Sequence, residues 1–221
     1  MDEAVKKLSL IENKIKEIST QKKLKSHAQI IAVSKTFALD KIRPLLEKGH
    51  LHYGENKIQE AENKWSNVKN QYNGLQLHML GKLQTNKAKK AVKLFDYIHS
   101  LDNAKLAAKI SQYEKELNKK VKLFIQVNIA KENQKTGILL NELTRFHNYC
   151  LNELSLNIIG LMSLPPADSD PTINFEILKK AAQQLNLNEL SMGMSNDYEI
   201  AAHHGSTYLR LGTAIFGNRN T

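Results

Sequence analysis

Apolar and polar positions along this chain alternate between two periods, and they do so eight times. Short apolar runs rich in β-branched residues fall at residues 30–33, 51–53, 75–79, 95–98, 121–127, 156–161, 187–192 and 207–211. Runs that are apolar at successive positions, rather than at every second one, predict strands covered on both faces, as in a parallel sheet. The segments between them, 40–48, 57–65, 86–93, 104–117, 141–150, 174–185 and 197–203, carry apolar residues at helical spacing and predict amphipathic helices. A further helix over residues 3–19 precedes the first strand. Strand and helix alternating without a cluster of consecutive strands means βαβ units. Eight of them predict an α/β protein, a single (β/α)8 TIM barrel with an extra N-terminal helix, forming one domain over residues 1–221. The loop 163–171 carries three prolines but lies inside the repeating pattern, so it marks no domain boundary.

Composition leaves this picture unchanged and narrows the function. With 41% hydrophobic and 24% charged residues the chain has an ordinary globular composition. No apolar run approaches the roughly 20 residues of a membrane span, and the charged N-terminal segment lacks the apolar stretch of a signal peptide. Cys150 is the lone cysteine, which excludes an intrachain disulfide and a thiolate metal cluster and fits a reducing, cytoplasmic setting. The net charge of +10 raises the question of a nucleic-acid partner. The basic residues are spread through the predicted helices, as in Lys6/Lys7, Lys22/Lys23/Lys25, Lys87/Lys89/Lys90 and Lys119/Lys120/Lys122, and only Arg43, Arg145, Arg210 and Arg219 are arginine. Arginine is the usual bidentate reader of phosphate and guanine, so this balance argues against nucleic acid as the main partner.

In a barrel of this type the reactive groups gather on the loops that follow the C-terminal ends of the strands. The first strand runs into Ser34-Lys35-Thr36 and the second into Gly54-Glu55-Asn56; the third ends at His78 and the fourth at His99-Ser100. The fifth reaches Asn128, the sixth Met162-Ser163, the seventh Met192-Gly193-Met194-Ser195 and the eighth Arg210-Leu211-Gly212-Thr213. Lys35 is the most informative of these. Partial desolvation at the mouth, or a nearby cation, would lower its pKa and free the amine to form an imine. A lysine reaching from a strand end into solvent is an equally ordinary outcome. Gly193 and Ser195, with Gly212 and Thr213 and the short segment 214–217, stand where such barrels usually bind phosphate. Glycine admits an anion close to the backbone, whose amides, with nearby hydroxyls, are donors; Ser195 could instead cap the helix beginning near Asp197.

A carbonyl-reactive lysine facing a phosphate cradle suggests pyridoxal 5'-phosphate. Arg210 on the last strand would then face the pyridine nitrogen and oppose its protonation; an ion pair closing the barrel is the alternative. No metal site is expected: His50, His52 and His78 have no partner at ligand spacing, and the adjacent His203 and His204 would point about 100° apart on a helix. A P-loop, a Gly-x-Ser-x-Gly elbow and a Gly-x-Gly-x-x-Gly fingerprint are all missing from the sequence.

The same residues carry a family resemblance. Ala32-Val33-Ser34-Lys35-Thr36, Tyr53-Gly54-Glu55-Asn56 with Gln59-Glu60, the run from His78 to Lys87, Gly160-Leu161-Met162, Leu190 to Ser195, Arg210-Leu211-Gly212-Thr213 and Ile215-Phe216-Gly217 resemble the pyridoxal phosphate homeostasis proteins. The resemblance covers nearly the whole chain, in order, and implies a barrel similar to the N-terminal barrel of bacterial alanine racemase. It implies that Lys35 holds the cofactor as a Schiff base, that Ser195, Gly212 and Thr213 take its phosphate, and that Asn56 and Arg210 face its ring. The sequence departs from the family pattern at Lys57, at Lys82 and in Asn128-Ile129-Ala130-Lys131, which concern the rim and not the anchoring residues. The function so implied is intracellular pyridoxal phosphate homeostasis, buffering or delivering the cofactor without established turnover. Apo-enzymes that receive the cofactor are the implied partners, with no membrane and a monomeric state. The alternative is a racemase-like enzyme. Racemisation needs an acid/base on each face of the α-carbon; alanine racemase takes the second from a further domain, which the end of the chain at Thr221 is expected to exclude, leaving His78 or Tyr53 as substitutes.

Overall fold

The computed structural model describes residues 2–24, 26–130, 136–166 and 169–218; Lys25, Lys131, the centre of the 163–171 loop and Arg219 lie outside the described residues. Eight strands form the barrel: β1 (Gln29–Val33), β2 (His52–Glu55), β3 (Gln76–Met79), β4 (Tyr97–Leu101), β5 (Lys122–Asn128), β6 (Ile158–Met162), β7 (Glu189–Ser191) and β8 (Tyr208–Leu211). They lie side by side in chain order with every neighbouring pair parallel. β1 also pairs with β8, Ile31 opposite Arg210, and β4 pairs with β5, so the sheet closes on itself. A two-residue strand that the hydrophobic pattern did not predict, Ile138–Leu139, pairs in parallel with Val127 and Asn128 at the C-terminal end of β5.

Helices follow the strands as the periodicity predicts: α1 (Glu3–Gln21) ahead of β1, then α2 (Leu39–Glu47), α3 (Ile58–Trp65), α4 (Ala88–Leu94), α5 (Ala104–Glu116), α6 (Leu140–Asn148), α7 (Pro171–Gln184) and α8 (Tyr198–His203); a short α9 (Thr213–Phe216), which no periodicity marked, follows β8. α1 shows why these residues fold so. Asp2 caps it by accepting from the amides of Ala4 and Val5. Val5, Leu8, Ile11, Ile15 and Ile18, three and four apart, form its buried stripe against α2, α8 and α9.

Within the strands, residues alternate between the helical layer and the barrel interior. Leu209 and Leu211 of β8 join the large core beneath the helices, whereas Tyr208 and Arg210 face the other way; Tyr208 packs with Tyr97, Phe124 and Met162 inside the barrel. This alternation corrects three expectations. Glu55, His78 and His99 were expected at the mouth, where the apolar runs stop. Instead β2 extends to Glu55, β3 to Met79 and β4 to Leu101, and all three polar side chains are buried. At His78 and His99 a polar residue facing the barrel interior interrupts the apolar run just as a strand end does; Glu55 faces the helical layer, where Lys64 and Trp65 of α3 donate to it.

Candidate functional site at the barrel mouth

A cavity of about 640 Å³ opens where the C-terminal ends of the strands converge, within the usual range for a small-molecule site. Lys35, Asn56, Ser195, Arg210, Gly212 and Thr213 all line it, arriving from behind β1, β2 and β7 and from β8 with the turn beyond it. Met162, Leu164, Pro165 and Pro166 supply an apolar wall.

Lys35 is held by its neighbours in the chain. Ser34 is buried; its hydroxyl donates to Glu55 Oε1 at 2.7 Å, and its carbonyl accepts from Lys64 Nζ at 2.7 Å. On the other side, Thr36 has φ +68°, a left-handed conformation that costs a non-glycine residue about 1 kcal/mol or more. The Thr36 amide donates to the Glu60 carboxylate, and Lys64 donates to both Glu60 (3.1 Å) and Glu55 (2.9 Å). Trp65 Nε1 donates to the same oxygen of Glu55 at 3.0 Å. Burial opposes ionisation of Glu60, but the Thr36 amide and Lys64 outweigh it and hold the carboxyl below its ordinary pKa. An ionic cluster from β2 and α3, buried at Glu55 and Lys64 and partly exposed at Glu60, thus holds the backbone on both sides of Lys35.

At the opposite wall, Ser195 does not cap α8 as one reading of the sequence allowed. Asp197 Oδ1 accepts from the Met194 amide at 2.6 Å, and Ser195 Oγ instead accepts from the amides of Gly212 (3.3 Å) and Ala214 (3.1 Å), tying the loop after β7 to the start of α9. Gly193 and Gly212 also part company. Gly193 has φ +91°, and a Cβ there would lie 2.5 Å from Ala201 Cβ, so the backbone alone demands glycine. At Gly212 a Cβ would meet nothing closer than 3.7 Å and φ is negative, so neither packing nor conformation requires it. An open backbone at the wall of a cavity is what close approach of an anion asks for.

Arg210 is buried. Its Nη1 donates to Ser191 Oγ at 2.7 Å and its Nη2 to the Ser163 carbonyl at 2.9 Å, so it is anchored by neutral oxygens and not by the closing ion pair considered as an alternative. Burial lowers its pKa to about 10, opposed by Asp197, and it remains a cation at neutral pH. No group of three or more potential metal ligands exists among the described residues.

Comparison with known proteins agrees with this geometry. Residues 7–220 match the family model described as alanine racemase, N-terminal domain. The pyridoxal phosphate homeostasis protein of Synechocystis is 37% identical, over 86% of this chain and 91% of its own; that of Pasteurella multocida is 34% identical, over 92% and 91%. This chain belongs to the pyridoxal phosphate homeostasis protein family. A solved family structure, PipY of Synechococcus elongatus without pyridoxal phosphate, superposes with a TM-score of 0.88 at 33% identity, covering 98% of this chain and all of PipY. PipY with pyridoxal phosphate bound gives 0.76 at 34% identity, over 92% and 100%. Alanine racemase of Clostridium difficile, at 16% identity and TM-score 0.70, shares the fold over 58% of its own length.

For a member of this homeostasis family, the informative surprises lie beside the expected residues. Asp197 lines the cavity and its charge acts on Arg210, yet the sequence offered it only as a helix start. Ser191, which anchors Arg210, sits in the middle of an apolar run and carried no signal. The two side chains considered as a second acid/base are not at the mouth. Tyr53 is buried in the helical layer against Trp65, and His78 lies inside the barrel. Cys150 is buried, and burial raises its thiol pKa to about 12, the setting of an inert thiol.

Proposed function

We propose that this chain holds pyridoxal 5'-phosphate as a Schiff base on Lys35 and serves intracellular pyridoxal phosphate homeostasis by buffering or delivering it. The convergence of Lys35, Asn56, Ser195, Arg210, Gly212 and Thr213 on one cavity carries the reading. The cofactor brings an aldehyde for the Lys35 amine and an electron-poor ring. Gly212, Ser195 and Thr213 fit its phosphate, supplying an open backbone and two hydroxyls, and Asn56 and Arg210 fit its ring. Arg210 can only donate hydrogen bonds, so beside the pyridine nitrogen it favours the bare nitrogen and a weaker electron sink.

The same wall supports carrying over turnover. Among the described residues, the titratable groups lining the cavity are Lys35, Asp197 and Arg210, and neither His78 nor Tyr53 reaches it. The chain is then a monomeric carrier whose partners are apo-enzymes. Borohydride reduction of the loaded protein and peptide mapping should place the pyridoxyl group on Lys35, and Lys35→Ala should abolish it; a label on another lysine overturns the assignment. Incubation with amino acids in deuterated water should show α-proton exchange no faster than with free pyridoxal phosphate. Exchange near 1 s⁻¹, on the order of ordinary enzyme turnover, that vanishes in Lys35→Ala would establish an enzyme instead.

A further inference from the structure

Below the cavity, an unbroken line of hydrogen bonds crosses the barrel interior. It begins with Arg210 Nη1 donating to Ser191 Oγ at 2.7 Å; His99 Nδ1 lies 2.8 Å from that same oxygen. His99 Nε2 is 2.9 Å from His78 Nδ1, and His78 Nε2 is 3.0 Å from His52 Nδ1. Five side chains from β8, β7, β4, β3 and β2 thus connect the cavity wall to the first residue of β2, at the far end of the strands. The rings are fixed by stacking: His78 on Tyr97 with centroids 4.2 Å apart, His99 on Phe124 at 4.3 Å.

Burial keeps His78 and His99 neutral, reinforced by the other histidines around His78 and by Arg210 beside His99; burial and then Lys122 do the same for His52. A neutral imidazole has one N–H and one bare nitrogen, so nitrogen-to-nitrogen contacts require each ring to donate to one neighbour and accept from the other. Arg210 sets the direction. A guanidinium only donates, so Ser191 Oγ accepts from it, and the hydroxyl hydrogen must go elsewhere. Among the described residues, the acceptor in its reach is His99 Nδ1. That leaves the His99 proton on Nε2, where it is donated to His78 Nδ1; the His78 proton is then on Nε2 and is donated to His52 Nδ1.

We propose that Ser191, His99 and His78 are positioning residues for Arg210, a one-directional line of neutral groups that holds the guanidinium at the cavity and fixes the Nε2–H form of His52, His78 and His99. Hydrogen bonds in such a chain polarise one another, so a Ser191 hydroxyl engaged with His99 is a better acceptor for Arg210. The consequence at the ring nitrogen rests on the cofactor reading above; the line itself does not.

Nitrogen NMR of the protein without cofactor, with ¹⁵N-labelled histidine rings at pH 7, tests the line by itself. His52, His78 and His99 should each show a protonated Nε2 and a bare Nδ1. In Ser191→Ala this single form should be lost at His99 and His78, and Ser191→Thr, which keeps the hydroxyl, should restore it. A wild-type His78 or His99 with its proton on Nδ1, or doubly protonated, overturns the proposal, as does a Ser191→Ala variant with unchanged ring resonances. If Ser191→Ala fails to fold, His78→Gln should release His99 from its single form in the same way, and an unchanged His99 overturns the proposal. With ring-labelled pyridoxal phosphate bound, the pyridine nitrogen resonance should shift between wild type and Ser191→Ala; no shift overturns the positioning role. A wild-type protein that takes up no pyridoxal phosphate overturns the function proposed above, while the histidine measurement still decides the line.

Discussion

Ser195 and Thr213 both present hydroxyls to the cavity, but their settings differ and so do the expected effects of removing them. Ser195 Oγ accepts from the amides of Gly212 and Ala214, so Ser195→Ala is expected both to remove the hydroxyl proposed to meet the phosphate and to loosen the turn that presents Gly212. Thr213 is exposed at the first position of α9, and Thr213→Ala removes little besides its own hydroxyl. Losing one hydrogen bond to a charged group costs about 1.5 to 3 kcal/mol, or roughly 10- to 150-fold in affinity. Titrating the apo-protein with pyridoxal phosphate should place Thr213→Ala at the low end of that range and Ser195→Ala at or beyond the high end. Equal binding of pyridoxal and its phosphate ester by the wild type would show that the phosphate is not held here. That these residues were legible in the sequence follows from the parallel barrel, in which what stands just after each strand must gather at one mouth. Ser191 and Asp197 escaped because a serine inside an apolar run and an aspartate at a helix start have ordinary structural meanings.

At the scale of elements, the β1–α2 turn that carries Lys35 depends on α3 two elements away. Glu55 is fully buried, and Lys64, with 8% of its side chain exposed, is its cationic partner. Removing one member of a buried pair leaves an unpaired charge and costs about 3 to 5 kcal/mol, whereas replacing both is often close to neutral. Lys64→Met is therefore expected to lower stability by about that amount in urea unfolding, and Lys64→Met with Glu55→Gln to recover most of it. The double variant should still bind pyridoxal phosphate more weakly than wild type, because the Ser34 carbonyl has lost its lysine and Glu60 alone holds the Thr36 amide. Full recovery of both stability and affinity would show that the cluster does not position Lys35. The hydrophobic pattern disclosed the order and type of these elements, since eight apolar runs separated by amphipathic segments admit few other arrangements. The strand ends were less legible. His78 and His99 face the interior from within β3 and β4, and a polar interior residue reads along the chain as the end of a strand. The two-residue strand Ile138–Leu139 is too short for any periodicity to reveal.

Across the whole molecule, the buried histidines couple folding to pH. Burial lowers the pKa of His50 to about 4, against a hydrogen bond with the His52 carbonyl that raises it, and it takes His78 and His99 well below their ordinary value. The folded state therefore binds fewer protons than the unfolded chain, whose histidines titrate near 6.5. Stability from this source is fully present above about pH 6.5 and is lost as pH falls toward the folded values, by up to about 1.4 kcal/mol per pH unit for each histidine. Three such groups acting together would consume much of an ordinary stability of about 5 to 15 kcal/mol within one to two pH units. On the alkaline side, burial and then Lys69 lower Lys119 to about 8, so this lysine adds stability as pH rises from about 8 to its ordinary value. The chain should accordingly tolerate mild alkali and unfold steeply on mild acidification. Trp65, the lone tryptophan and fully buried, reports the transition by fluorescence. Urea midpoints should hold between pH 8 and 7 and fall sharply between pH 6.5 and 5, with His50→Asn showing a shallower fall. A midpoint that holds or rises down to pH 5 would mean that these histidines accept protons without cost, against the burial that surrounds each of them.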